Sequence, residues 1–113
     1  MTPAELATAY FEAIRGRDVE RIRGLFAPNA QLTTAFGVTE GADAIADFYA
    51  NYAFSFDDLW PEPGPLIVDG NLVAVEITLT AAGETSEVAD VFEIEGDHIR
   101  RLRIYGTIER TQD

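Results

Sequence analysis

Apolar side chains in the first part of the chain recur every three or four residues, which is the spacing of one face of a helix. The first such face runs through Leu6, Tyr10, Ala13 and Ile14. Thr2 followed by Pro3 is typical of a helix start, because threonine caps free backbone N–H groups and proline fits the first helical position. Gly16 is expected to end this helix.

Two further helices and a short strand are predicted before residue 54. Asp18 is expected to cap a second helix, with apolar positions at Val19, Ile22, Leu25 and Phe26. The Ala-Pro-Asn segment 27–29 breaks this helix, and a short strand is predicted over 30–34. A third helix is predicted over 41–53, with an apolar face formed by Ile45, Phe48, Tyr49 and Tyr52.

From residue 54 onward the hydrophobic period changes to two, which is typical of strands. The alternation predicts strands over 54–60, 66–68, 72–80, 84–95 and 98–105. Turn-forming residues separate them at 61–65, 69–71, 82–83 and 95–97. Helices followed by an antiparallel meander predict an α+β fold, with the helices packed on one face of a strongly curved sheet. Such an arrangement encloses an apolar cavity, where small ligands commonly bind.

One charged side chain interrupts the apolar face of the predicted strand 84–95. The even positions of this strand are Ser86, Val88, Asp90, Phe92 and Ile94. Burial among apolar groups raises the pKa of a carboxyl group and favours its neutral form, which is a hydrogen-bond donor. Such a donor stabilises negative charge on a ligand oxygen. Two structural interpretations also stay open: an arginine pairs with Asp90, or the strand bulges and turns it outward.

Tyr10 lies on the buried face of the first predicted helix. Taken alone, it is typical of a core tyrosine whose hydroxyl group is hydrogen-bonded. Together with Asp90 it suggests more, because a phenol and a neutral carboxyl group facing one cavity form a two-donor site for an oxyanion.

The composition narrows the range of functions. The 113 residues predict a single domain over 1–113. The chain has no cysteine and only one histidine, so we expect no disulfide, no metal and no cofactor. A net charge of −12, with arginine as the only base, argues against nucleic acid or a membrane as partner. No signal peptide or membrane-spanning apolar segment is predicted, and we expect a cytoplasmic protein.

Several segments, spread along the chain from residue 10 to residue 105, carry a family resemblance. They are Tyr10-Phe-Glu-Ala-Ile-Arg, Leu25-Phe-Ala-Pro-Asn-Ala, Ala44-Ile-Ala-Asp-Phe-Tyr, Val88-Ala-Asp-Val-Phe-Glu-Ile-Glu-Gly and Ile99-Arg-Arg-Leu-Arg-Ile-Tyr. The pattern resembles the ketosteroid isomerases, within the superfamily of nuclear transport factor 2-like (NTF2-like) and SnoaL-like domains. The resemblance implies a cone-shaped fold, with three N-terminal helices on a curved, mostly antiparallel sheet around an apolar pocket. It also implies a homodimer.

The resemblance implies roles for individual positions. Tyr10 and Asp90 fall on the family's oxyanion-binding pair, and Tyr49 falls on a tyrosine that supports the first. Ligand contacts are expected from Phe26, Phe48, Tyr49, Trp60, Val88, Phe92 and Leu102.

Two positions depart from the family pattern. Thr34, in Thr34-Ala-Phe-Gly, stands where the family has its aspartate general base. A threonine hydroxyl group has no accessible conjugate base at neutral pH, so steroid isomerisation is expected to be weak or absent. Gly106 stands where the pocket often has a large aromatic side chain, which implies a wider or more open cavity.

Other ionisable side chains are weaker candidates. Asp57, Asp58 and Glu40 are alternative bases, although solvated loop carboxylates are more common. His98 is expected to be exposed in a turn. The arginines are expected to form ion pairs on the surface, given the excess of acids.

The sequence therefore favours a pocket that binds a small apolar molecule, with a steroid as one candidate, through its carbonyl or phenol oxygen. Any turnover would be that of a steroid Δ-isomerase. Two alternatives stay open. One is a non-catalytic dimerisation or ligand-binding domain. The other is an enzyme resembling the SnoaL-like cyclases and limonene-epoxide hydrolases, which work through a network of two aspartates and an arginine.

Overall fold

The computed structural model describes residues 1–106. Its helices are α1 (Pro3–Arg15), α2 (Val19–Leu25) and α3 (Ala42–Asn51), and a 3₁₀ turn (Ala53–Ser55) follows α3. Its strands are β1 (Phe26–Thr34), β2 (Gly37–Glu40), β3 (Trp60–Asp69), β4 (Leu72–Ala81), β5 (Glu84–Glu95) and β6 (His98–Gly106).

The six strands form one sheet in the order β2-β1-β6-β5-β4-β3. Strands β1 and β6 pair in parallel, and every other neighbouring pair is antiparallel. The three helices pack on this curved, unclosed sheet, which confirms the predicted α+β fold. Within residues 1–106, no helix is long and apolar enough to cross a membrane.

The helix starts follow the local rules that the sequence predicted. The hydroxyl group of Thr2 accepts a hydrogen bond from the backbone N–H of Glu5 at 3.1 Å. The Glu5 carboxylate accepts in return from the backbone N–H of Thr2 at 2.8 Å, so two otherwise free donors are satisfied. Asp18 caps α2 by accepting from the backbone N–H of Arg21 at 3.1 Å, and Gly16 caps the end of α1.

The core forms where the apolar face of α1 meets the inner face of the sheet. On that face, one fully buried row of side chains crosses four strands through Leu32, Leu102, Phe92 and Val73. The buried inner-face residues alternate with half-buried or exposed ones, for example along β4 and β5, because successive side chains point to opposite faces. Helix α1 covers this part of the sheet with Leu6, Tyr10 and Phe11.

The predicted strand over 54–60 is wrong. These residues form the 3₁₀ turn and a loop, and β3 begins only at Trp60. The guanidinium group of Arg17 donates hydrogen bonds to three backbone carbonyl groups of this loop, at Phe54 (3.0 Å), Phe56 (2.8 Å) and Asp57 (3.0 Å). A long-range contact therefore takes up carbonyl groups that a strand would use in its ladder.

Other predicted boundaries also needed correction. Residues 61–65 belong to β3 and are not a turn. Their prolines are tolerated because β3 is an edge strand with one neighbour, and its register shifts between Pro63 and Leu66. Strand β1 starts at Phe26 instead of residue 30, β2 was not predicted, and α3 ends at Asn51.

Candidate functional site

A cavity of about 360 Å³ lies between the helices and the inner face of the sheet. This volume is in the range of pockets that bind small molecules. The wall is mostly apolar. The helices contribute Tyr10, Phe11, Ile14, Phe48, Tyr49 and Tyr52, and strands β4 to β6 contribute Ile77, Leu79, Ala81, Val88, Asp90, Ile104 and Gly106.

Asp90 is the buried charged side chain of the described chain, with 3% of its surface exposed. It lies on the inner face of β5, between Val75 of β4 and Ile104 of β6. Its Oδ1 atom is buried and has no hydrogen-bond partner within the described part of the chain. Among residues 1–106, no arginine forms an ion pair with it. Residues 1–106 therefore show neither an arginine paired with Asp90 nor an Asp90 side chain that is turned outward.

The environment of Asp90 favours its neutral form. Burial raises the pKa of the Asp90 carboxyl group to about 8. The physical cause is that an ionised carboxylate loses its hydration in this apolar wall and gains no cation or hydrogen-bond donor in return. At neutral pH the side chain is mainly a carboxylic acid, which can donate one hydrogen bond.

The hydroxyl groups of Tyr10 and Tyr49 are joined by a hydrogen bond inside the fold. Burial raises the pKa of both phenols well above the ordinary value, and the charge of nearby Asp90 acts in the same direction. Both phenols therefore stay protonated at neutral pH. The Tyr10 ring packs edge-to-face on Phe11, Phe26 and Phe92, so its position is fixed from several sides.

The structure brings part of the predicted residue set together around the cavity. Tyr10, Thr34, Phe48, Tyr49, Val88 and Asp90 all line it. Phe26, Phe92 and Leu102 do not; they lie in the fully buried core below the Tyr10 ring. Trp60 is 45% exposed at the start of β3, where the guanidinium group of Arg15 stacks over its ring at 4.6 Å. These four residues therefore do not line the cavity, and their contact with a ligand stays a prediction.

The two positions that depart from the family pattern are on the cavity wall. Thr34 lies at the end of β1, and its Oγ1 accepts a hydrogen bond from the backbone N–H of Phe36 at 3.1 Å. Gly106 lies at the end of β6. A Cβ atom added at Gly106 would meet no atom within 4 Å, so the glycine leaves open space at this end of the cavity.

Comparison with known proteins places the chain in a family. Residues 7–102 match the family model described as a SnoaL-like domain. The chain belongs to the SnoaL-like domain family. No curated protein matches the sequence of this SnoaL-like domain.

Solved structures share the fold of this SnoaL-like domain. A protein of Kribbella flavida, provisionally named a ketosteroid isomerase, is 20% identical with a TM-score of 0.87, over 98% of this chain and 82% of that one. A provisionally named polyketide cyclase of Sinorhizobium meliloti is 24% identical with a TM-score of 0.82, over 88% and 93%. An NTF2-like protein of unknown function from Cytophaga hutchinsonii is 15% identical with a TM-score of 0.83, over 95% and 91%. At these identities the likeness shows the fold alone.

The mouth of the cavity in this SnoaL-like domain is lined by aromatic side chains, of which the sequence analysis assigned Phe48 to the site but not Phe36, Tyr52 or Phe56. Tyr52 is their centre, with ring centroids 5.2 Å from Phe36, 5.5 Å from Phe48 and 5.3 Å from Phe56. Phe36 is 74% exposed at the β1–β2 turn. A single apolar side chain in a predicted turn is common at protein surfaces, so the sequence offered no clear signal for this cluster.

The alternative acids have other roles. Asp58 accepts hydrogen bonds from the backbone N–H groups of Ala82 (2.8 Å) and Gly83 (2.7 Å), which lower the pKa of its carboxyl group. It therefore holds the β4–β5 turn. Glu40 accepts from the side-chain amide of Gln31 at 2.9 Å on the surface. Asp57 and His98 are exposed.

The prediction that the arginines form surface ion pairs holds for four of them, whereas within residues 1–106 Arg15 and Arg17 donate to backbone carbonyl groups and Arg103 forms no ion pair. Arg21, Arg23, Arg100 and Arg101 each lie within 4 Å of a glutamate or aspartate oxygen. The described residues contain no cluster of three acidic or histidine side chains able to hold a metal ion.

Proposed function

We propose that this domain binds a small, mostly apolar molecule by its carbonyl or phenol oxygen, with Tyr10 and Asp90 as donors. The observation that carries the proposal is a buried carboxyl oxygen without a partner, on the wall of an apolar cavity that Tyr10 also lines. Buried polar atoms are nearly always hydrogen-bonded, so an unpartnered one facing a cavity is expected to bind a ligand.

The two donors suit an oxygen that carries partial negative charge. The neutral Asp90 carboxyl group donates its one proton to the ligand oxygen. Either tyrosine can be the donor in the Tyr10–Tyr49 hydrogen bond, and we propose that Tyr49 donates when a ligand is bound, which leaves the Tyr10 proton free for the ligand. In an apolar site, the hydrogen bonds from such donors become stronger as negative charge develops on the ligand oxygen, because little water competes for it.

Turnover is a separate step, for which a proton-transfer group is needed. Thr34 cannot act as a base at neutral pH, and Asp58 already binds the β4–β5 turn. We therefore propose a ligand-binding site with weak or no steroid isomerase activity. An epoxide-hydrolase-like reaction is less well supported, because no arginine among residues 1–106 reaches Asp90.

Fluorescence titration with equilenin or 2-naphthol tests the binding site. Asp90→Leu and Tyr10→Phe each remove one donor and are expected to weaken binding by about fivefold or more, the effect of one hydrogen bond to a charged or polar oxygen. Glu87→Gln, on the exposed part of β5, and Tyr105→Phe, with Tyr105 51% exposed, are matched controls that should bind as the wild type does. Unchanged affinity in both Asp90→Leu and Tyr10→Phe would remove the proposed site.

A homodimer through the outer face of the sheet is also part of the proposal. Ile67, Leu72 and Tyr105 are exposed on that face by 66%, 43% and 51%. Exposed apolar side chains on one sheet face favour association with a second apolar surface. Sedimentation equilibrium of the wild type and Ile67→Glu tests this; a monomeric wild type would contradict it.

A further inference from the structure

We infer that Thr34 selects ligands with a second acceptor oxygen, to which its hydroxyl group donates. The inference rests on the proposed function and adds a specificity to it. The expected ligand is a neutral ring compound with two oxygens. One oxygen accepts hydrogen bonds from Tyr10 and Asp90, and the other accepts one from Thr34.

The first step is the position of Thr34 on the sheet. The row Leu32, Leu102, Phe92 and Val73 crosses the inner face and is fully buried. Side chains alternate between the faces, so the positions two residues away on each strand also face inward. The next row across the sheet follows Leu32 and Leu102 in β1 and β6 but precedes Phe92 in the antiparallel β5. On β5 and β6 these are the paired Asp90 and Ile104, and on β1 the position is Thr34.

This register sets the separation of the two polar positions. Thr33 pairs with Arg103, which puts Thr34 beside Ile104 in the parallel pair. Ile104 therefore lies between Thr34 and Asp90, and neighbouring strands are roughly 4.8 Å apart. The backbones of Thr34 and Asp90 are then about 10 Å apart, and a bound ring system passes over Ile104 to reach both.

The second step is the hydrogen bonding of the Thr34 hydroxyl group. Its oxygen accepts from the backbone N–H of Phe36, and within residues 1–106 it makes no other hydrogen bond, so its own proton is the part that is free to bind. A half-buried hydroxyl proton on a cavity wall is expected to meet an acceptor. Because the described residues of the wall include Asp90 and no arginine, a neutral acceptor such as an ether or ketone oxygen fits better than an anion.

Binding of matched naphthols tests the inference. The probes are 2-naphthol, which has one oxygen, and a series of methoxy-2-naphthols with the methoxy group moved around the second ring. The measured quantity is a preference, which is the dissociation constant of 2-naphthol divided by that of a methoxy isomer. It is determined separately for the wild type and for each variant. In the wild type, at least one methoxy isomer should bind more tightly than 2-naphthol. Thr34→Val should reduce that preference by about fivefold.

Three variants separate ligand binding from other effects. Thr34→Ser keeps the hydroxyl group and should keep the preference, whereas Thr34→Ala should lose it as Thr34→Val does. Thr33→Val removes the hydroxyl group of the neighbouring residue on β1, which does not line the cavity, and should leave the preference in place. Thermal unfolding of each variant shows whether the fold itself has changed.

The outcomes distinguish the inference from the proposed function. If no methoxy isomer gains affinity, or if Thr34→Val and Thr34→Ala keep the preference, the inference is overturned. Binding of 2-naphthol that depends on Asp90 would then still support the proposed function. If 2-naphthol does not bind to the wild type, the proposed function fails, and the inference fails with it.

Discussion

The Tyr10 hydroxyl group and the Asp90 carboxyl group face one apolar cavity, the first from helix α1 and the second from strand β5. Within the described chain they are not hydrogen-bonded to each other. Tyr10 is bonded to Tyr49, and the Asp90 Oδ1 atom has no partner. The Asp90 carboxyl group is therefore able to donate to a third molecule, and the Tyr10 hydroxyl group can do the same when Tyr49 is the donor in the bond between the two tyrosines.

The stability of the protein should depend on pH through Asp90. Its pKa is about 8 in the folded protein against an ordinary value of 3.8, so the folded state binds more protons than the unfolded state between these limits. The free energy of unfolding should therefore fall as pH rises from about 4 to about 8, by up to about 1.4 kcal/mol per pH unit.

Asp90→Asn is the control for this pH dependence, because asparagine has a similar shape and does not titrate. Urea unfolding of both proteins at pH 5, 6, 7 and 8 measures the difference. The wild-type curve should fall more steeply than that of the variant. Parallel curves would mean that Asp90 is solvated and ionised in the folded protein.

Tyr49 is expected to act through Tyr10 instead of touching the ligand oxygen. Tyr49→Phe leaves the Tyr10 hydroxyl group without its buried partner, which should cost about 1–3 kcal/mol of stability. Phenol affinity should fall less than in Tyr10→Phe. In the double variant, the affinity should match that of Tyr10→Phe alone. Additive losses in a fluorescence titration would show that Tyr49 binds the ligand independently.

Restoring a carboxylate at position 34 should add isomerase activity. The wild type is expected to isomerise 5-androstene-3,17-dione slowly, because Thr34 offers no accessible base. Thr34→Asp should increase the rate, by an amount up to the roughly 10²- to 10⁴-fold typical of a positioned general base. Thr34→Asn has a similar shape without a base and should stay slow. A fast wild-type rate, followed by product absorbance, would show that another residue is the base.

The loop 54–59 should be loosened by changes at Arg17. This residue donates three hydrogen bonds to the loop and has a positive φ of 54°, which is unfavourable for a residue with a Cβ atom. Arg17→Ala should lower the free energy of unfolding by about 1 kcal/mol. Arg17→Gly should lower it less, because glycine adopts this backbone conformation without strain.

Ligand release gives a second readout for Arg17, since Phe56 and Leu59 of the loop line the cavity. Dissociation of 2-naphthol by stopped flow should be faster in both Arg17 variants than in Arg21→Ala, where Arg21 lies at the surface 3.8 Å from Glu12. Equal dissociation rates in all three variants would show that the loop does not control ligand release.

The sequence determined the elements that depend on local chemistry. The starts of α1 and α2 follow from Thr2 and Asp18, whose side chains bond backbone groups three residues away. Alternation in β5 put Asp90 on the inner face, because the period of a strand is fixed by its geometry. The family resemblance, which depends on these same elements, is also borne out by the SnoaL-like match.

The tertiary structure alone decided which inner-face residues meet the cavity and which lie beneath a helix. Phe92 and Asp90 share one face of β5, yet α1 covers Phe92 and leaves Asp90 on the cavity wall. Alternation along a strand shows which face of the sheet a side chain is on. It does not show whether that side chain lies under a helix or on the cavity wall, because this depends on where a helix distant in sequence packs. The same holds for loop 54–59, where three bonds from Arg17 outweigh a strand-like pattern. Contacts between residues far apart in sequence leave no local period by which a single sequence would reveal them.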